Sequence, residues 1–153
     1  MTVCTRERQP FFDEPGIRQI AEQCWRSVPE HCAFVTLDEW VLMPNHLHAV
    51  LFIEERPGRG VQLNAPTARD PDSRFSVISP RAGSLGLVVR TYKASVTARC
   101  RKEGFDHFGW QRNYYDHIVR DDESLNRIRE YVINNPLVWE LDENHPGRWH
   151  GDP

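Results

Sequence analysis

The order of helical and extended patterns along this chain predicts an α+β fold of the ferredoxin-like, split βαβ type. That is an antiparallel sheet with helices on one face, followed by a further C-terminal helix. Three observations carry this reading. Helical periodicity occupies the segments near 15–29 and 84–104. Between them lies a stretch rich in β-branched and aromatic residues at 32–55, broken once at Met43-Pro44-Asn45. A short extended segment stands before the first helical pattern and another after the second.

Residues 1–5 read as a short strand, and the polar RERQP after it as a turn. From Pro15, the residues Ile17, Ile20, Ala21, Cys24 and Val28 recur at helical spacing, with Pro15 suited to a first turn and Pro29 closing the segment. CAFVTLDEWVLMPNHLHAVLFIEE, residues 32–55, is expected to form an antiparallel hairpin turning around Met43 to Asn45. In its second arm Leu47, Ala49, Leu51 and Ile53 share one face and His46, His48, Val50 and Phe52 the other. Residues 56–84 carry four prolines and three glycines without periodicity and read as a long, flexible surface loop inside the domain. A helix then resumes, with Leu85, Val88, Val89, Tyr92 and Val96 on one face, Arg90 and Arg101 roughly opposite, and Lys93 on the flank. YYDHIVR, 114–120, reads as the last strand. The following DDESLNRIREYVINNP reads as a helix capped by Asp121 or Asp122, with a buried stripe of Leu125, Ile128 and Val132 and a stop before Pro136.

A length of 153 residues fits one domain, 1–153, with room for one sizeable core. The apolar and charged fractions, 39% and 27%, are those of a globular chain rather than a disordered one. No apolar run approaches the roughly 18 residues of a membrane span. The opening MTVCTRERQPFF lacks the apolar core of a secretory signal, so a cytoplasmic location with no membrane partner is expected. Cys4, Cys24, Cys32 and Cys100 form no CxxC pair and read as reduced, mostly buried thiols. The net charge of −3 hides an asymmetry. Residues 81–120 hold eight Lys/Arg against three Asp/Glu, and residues 121–153 hold three against eight, so the middle of the chain is basic and the end acidic.

The motif MPNHLHAV sets two imidazoles two positions apart on one strand face. Neutral imidazoles so placed can converge on a divalent cation, although an exposed strand also carries two histidines without one. On the last helix Tyr131 and Asn135 stand one turn apart on the same side. They are readable as a nucleophile and a carbonyl ligand facing one metal, or as a packed tyrosine and a helix terminator before proline.

MPNHLHAVLFI, then SLGLVVRTYKASVTAR, then GWQRNYYDHIVRDDESLNRIREYVINNPLVWE, in this order and with CTRERQPFF near the start, closely resembles the REP-associated tyrosine transposases. These belong to the HUH class of single-tyrosine transposases, and the resemblance spans almost the whole chain. It implies that His46 and His48 are the metal-binding histidines and that Tyr131 is the nucleophile of a Y-[IV]-x-x-N-P segment. Asn135 is then the polar residue that helps hold a Mg²⁺ or Mn²⁺ ion. The implied activity is cleavage and joining of single-stranded DNA through a 5′-phosphotyrosine link, most naturally on REP-like hairpins. Candidate DNA contacts are Arg90, Lys93, Arg101 and Lys102 on the backbone, Trp110, Tyr114 or Tyr115 stacking on bases, and Arg112 as a further DNA-binding residue. For the helix and the aromatics, a solvated face and ordinary packing are the alternatives. A homodimer and a monomer both fit. The rival readings are a non-catalytic protein that binds single-stranded hairpin DNA, a hydrolase in which water attacks phosphorus, and a purely structural zinc site.

Overall fold

The computed structural model describes residues 1–54 and 83–148, so the loop expected at 56–84 lies, save its last two residues, outside the described residues. Strand β1 is Thr2–Cys4, helix α1 Pro15–Arg26, the short helix α2 Val28–His31, strand β2 Val35–Leu42, strand β3 His46–Ile53, helix α3 Leu85–Lys102 and helix α4 Asp122–Asn134. The three strands form one antiparallel sheet in the order β1-β3-β2. The α+β class and the antiparallel sheet are those the sequence predicts. No described helix is long and apolar enough to cross a membrane.

Cross-strand register explains how one strand serves two environments. Leu47 of β3 lies opposite both Val3 and Leu42, whereas His48 lies opposite Thr2 and Val41. Directly paired residues share a face, so the sheet has an apolar side through Leu47 and a polar side through the histidines. Helices α1 and α3 cover the apolar side. Ile17, Ile20, Ala21 and Trp25 of α1 meet Val88, Tyr92 and Val96 of α3 over Leu47 and Ala49, and the Trp25 and Tyr92 rings pack edge to face at 5.1 Å. The four cysteines are buried and form no disulfide.

Helix α4 packs across the other side. Its start is capped by Asp121, whose carboxylate accepts from the Ser124 N–H at 2.8 Å. It is tied to β2 by Arg129 Nε donating to Asp38 Oδ2 at 2.7 Å, where the β2–β3 register shifts between Leu37 and Trp40. Of the expected stripe only Val132 is fully buried, Leu125 and Ile128 being partly covered. A 3₁₀ stretch over Asn135–Leu141, opened by Pro136, then returns the chain toward β3.

Two local expectations are corrected. Pro29 does not close the first helix: it sits in the first turn of α2, where a missing N–H costs nothing. Residues 114–120 are not a strand. The segment touches the open edge of β1 through one isolated bridge, Thr2 with Tyr115, and a second bridge joins Thr5 to Trp110 before it. Just ahead of the segment, the Lys93 ammonium gathers the carbonyls of Gln111, Arg112 and Asn113 at 2.6, 3.4 and 3.1 Å. From Tyr114 to Ile118 every side chain is exposed, which leaves no inward face to fix a register. Tyr114 and Tyr115 therefore stand on an extended edge segment.

Candidate metal and tyrosine centre

On the polar side of β3 the rings of His46 and His48 stand with centroids 4.3 Å apart, both buried. Their orientation is fixed from behind. The Asn45 carboxamide donates its NH₂ to the carbonyls of Arg8 and Asn144 at 2.9 and 2.7 Å, so its oxygen is the atom 2.8 Å from His46 Nδ1. A carboxamide oxygen only accepts, which assigns the proton to His46 Nδ1 and leaves Nε2 with a bare lone pair. His48 Nδ1 lies 2.8 Å from the Thr2 hydroxyl. Both rings thus aim Nε2 at the same point.

That point is occupied by a third group that sequence reasoning missed. Asp142 Oδ2 lies 3.7 Å from His46 Nε2 and 3.8 Å from His48 Nε2, too far for hydrogen bonds, and Asp142 is itself buried. Its other oxygen is satisfied by the Asn144 N–H at 2.6 Å and the Asn144 side chain at 2.9 Å. One donor atom from each of the three residues falls within 4.8 Å of the others. His46 Nε2, His48 Nε2, Asp142 Oδ2 and both amide atoms of Asn135 are buried without a hydrogen-bond partner. A lone pair of His46 therefore faces a carboxylate with nothing positive between them, and a divalent cation accepting from all three is what such a donor set fits.

Electrostatics agrees. Burial, reinforced by His48, lowers the His46 pKa to about 3 against the opposing pull of Asp142, so the ring is neutral and available as a ligand at neutral pH. Burial pushes the Asp142 carboxyl up, but His48, the Asn144 N–H, His46 and Asn135 outweigh it, and the group lies well below the usual carboxylate range.

The remaining predicted residues fall into two sets. Tyr131 of α4 meets the cluster: its ring lies 5.4 Å from that of His48, and the residue is 52% exposed, so a large ligand can reach it. Burial and the Asp142 charge raise its phenol above the ordinary value, against the influence of Asn135. Asn135 is buried beside both Tyr131 and Asp142, without a hydrogen bond of good geometry to either. Trp139 closes the floor, 5.9 Å from the His46 ring and 4.9 Å from that of His145. Arg112, Tyr114 and Tyr115 lie exposed on the edge segment. There Thr2 pairs through its backbone with Tyr115 and through its hydroxyl with His48. Arg90, Arg101 and Lys102 are exposed on α3, across the sheet from the histidines. Lys93 holds the carbonyls of 111–113, and Trp110 packs among Phe12, Tyr92 and Phe108 with its indole N–H on the Lys93 carbonyl at 3.1 Å.

Comparison with known proteins follows this geometry. No family model matches the chain. An uncharacterized protein of Haemophilus influenzae (strain ATCC 51907 / DSM 11121 / KW20 / Rd) is 35% identical over 153 residues, covering 94% of this chain and 82% of its own. The chain belongs to one family with that protein. Among solved structures, a REP-associated tyrosine transposase bound to a REP hairpin is similar to this chain with a TM-score of 0.60. The match covers 99% of this chain and 83% of that one at 16% identity. This member of the Haemophilus protein's family thus has a transposase-like fold, and its buried His46–His48–Asp142 group stands beside Tyr131.

Proposed function

We propose that this protein is a metal-dependent, transposase-like enzyme that cuts and rejoins single-stranded DNA through a covalent tyrosine link, with hairpin DNA as its substrate. The observation that carries this reading is the half-exposed Tyr131 ring set against His48, beside buried His46 Nε2, His48 Nε2 and Asp142 Oδ2 that face one another without hydrogen-bond partners. The hairpin-bound transposase of the same fold supports DNA as the partner.

In this reading Tyr131 Oη attacks phosphorus, the bond to the 3′ oxygen breaks, and the products are a 5′-phosphotyrosine and a free 3′-OH. A Mg²⁺ or Mn²⁺ ion held by His46, His48, Asp142 and Asn135 would supply the positive charge that polarises the phosphate and favours the phenolate. The chain's own residues prepare the step. Asn45 and Thr2 aim the imidazoles, Asn144 leaves one oxygen of Asp142 facing the site, and Trp139 excludes water from below. Because the tyrosine ester keeps the energy of the phosphodiester, attack by a 3′-OH reverses the step and joins DNA at the same site. A single strand running along the edge segment would pass Arg112, Tyr114 and Tyr115 on its way to Tyr131. The α3 residues Arg90, Arg101 and Lys102 would take up the remainder of a hairpin.

The test mixes the protein with labelled single-stranded hairpins and Mn²⁺ and looks for protein–DNA adducts by denaturing gel and mass spectrometry. The expected result is DNA attached at Tyr131, lost in Tyr131→Phe and in His46→Ala. Binding with no adduct points to the non-catalytic rival, and cleavage that survives Tyr131→Phe points to the hydrolase.

A further inference from the structure

The turn after β1 contains a feature that the proposed centre does not use. Glu7 and Arg8 are consecutive non-glycine residues with φ of 51° and 53°, in the left-handed region that side chains disfavour. The conformation is held by a network around it. The buried Thr5 hydroxyl shares its one proton between the carbonyls of Gln9 at 2.6 Å and Asn45 at 2.9 Å, and the Thr5 N–H also reaches Asn45 O at 2.9 Å. The Asn45 side chain that orients His46 donates to the Arg8 carbonyl. One carboxamide therefore joins the strained residue to the metal-site histidine.

The Arg8 side chain is the anomaly. Other cations of this protein spend their donors on carbonyls: Arg18 on Phe12 and Leu42, Arg6 on His107, Lys93 on the 111–113 segment. Arg8 Nε and Nη1 are buried and have no hydrogen-bond partner among the described residues. Two buried guanidinium N–H groups without an acceptor, next to a cation site, are donors that phosphate oxygens can satisfy.

We infer that Arg8 grips a phosphodiester of the bound strand beside the His46–His48–Asp142 cluster, and that the left-handed turn exists to hold its guanidinium there. This rests on the reading of the protein as one that binds single-stranded DNA. Arg8 is then a binding residue and not part of the framework, which sets stability and binding against each other at one position.

The informative variant is Arg8→Gly, because glycine accepts a φ of 53° without strain and the change also removes the unpaired buried donors. The measurements are thermal melting, and binding of a labelled single-stranded hairpin oligonucleotide in EDTA between about 50 and 200 mM salt. Arg8→Gly should melt no lower than the wild type. It should bind the DNA more weakly, with the slope of log K against log salt reduced by about 0.7, the value of one phosphate contact on a single strand. Arg8→Lys, which keeps the charge, should keep the slope. An unchanged slope in Arg8→Gly overturns the assignment, whatever happens to melting. A wild-type protein that binds no single-stranded DNA would overturn the functional reading and this inference together, so the two failures are told apart.

Discussion

The two sides of the sheet are built from the same strand and by opposite rules. Leu47 and Ala49 face a dry layer in which Trp25, Tyr92, Ile17 and Val96 interlock, and that side has two helices over it. His46 and His48, one residue out of step, face a side where α4 buries only Val132 completely and where His46 Nε2, His48 Nε2 and Asp142 Oδ2 face one another without hydrogen-bond partners. One side holds the fold together. The other side forgoes packing and hydrogen bonding at a His46–His48–Asp142 group whose spacing suits a metal ion. Each side predicts a different response to mutation.

The largest effect belongs to the dry side. Trp25→Ala should cost about 3–5 kcal/mol, enough to remove much of a domain's stability, because the edge-to-face contact with Tyr92 is lost and a cavity is left under α1. Urea denaturation followed by far-UV dichroism measures it. A loss below about 1 kcal/mol would mean that α1 is not the main cover of the sheet.

On the polar side, Thr2→Val removes the hydroxyl behind His48 while keeping the side chain's shape. Partners of this kind are worth about 10- to 100-fold in metal affinity, so Mn²⁺ titration by calorimetry should show a weakening in that range with little change in melting temperature. An unchanged affinity would remove Thr2 from the site.

A further effect is a pH slope, read over several pH units. His46 is held to about 3 in the folded protein against 6.5 in the unfolded chain, so between these values the unfolded state binds the extra proton. In metal-free protein the stability is intact above about pH 6.5 and declines as the pH falls toward 3. The slope approaches about 1.4 kcal/mol per pH unit, and Asp142 adds its share only below its own ordinary range. His46→Gln should flatten that decline in denaturation curves taken from pH 7 to 4. An equal decline in the variant would place its source elsewhere.

How far these features were legible in the sequence depends on how local their causes are. The alternation in HLHAVLFI was enough to put both histidines on one face, and the apolar spacing of α1 and α3 was enough to find the dry layer, because both are short-range consequences of strand and helix geometry. Tyr131 and Asn135 were found one helical turn apart, and both reach the cluster. The fourth strand failed since its alternation has no buried partner: every side chain from Tyr114 to Ile118 is exposed. Asp142 was missed for a related reason. It sits in ELDENHPG, an acidic stretch that reads as solvated, and it meets the histidines only after the 3₁₀ stretch folds the chain back across the sheet. The one local trace is Asp-x-Asn, the spacing of the Asp142–Asn144 turn that satisfies one carboxylate oxygen and leaves the other free.

Asp142→Asn tests the contrast between the two sides most directly, measured as melting temperature in EDTA and with added Mn²⁺. In the wild type Mn²⁺ should raise the melting temperature. In Asp142→Asn the amide can donate to an imidazole nitrogen, so the metal-free variant should melt at or above the wild type and gain little from Mn²⁺. A variant that melts well below the wild type in EDTA, together with a wild type indifferent to Mn²⁺, would make Asp142 an ordinary structural partner of the histidines and would contradict the metal centre.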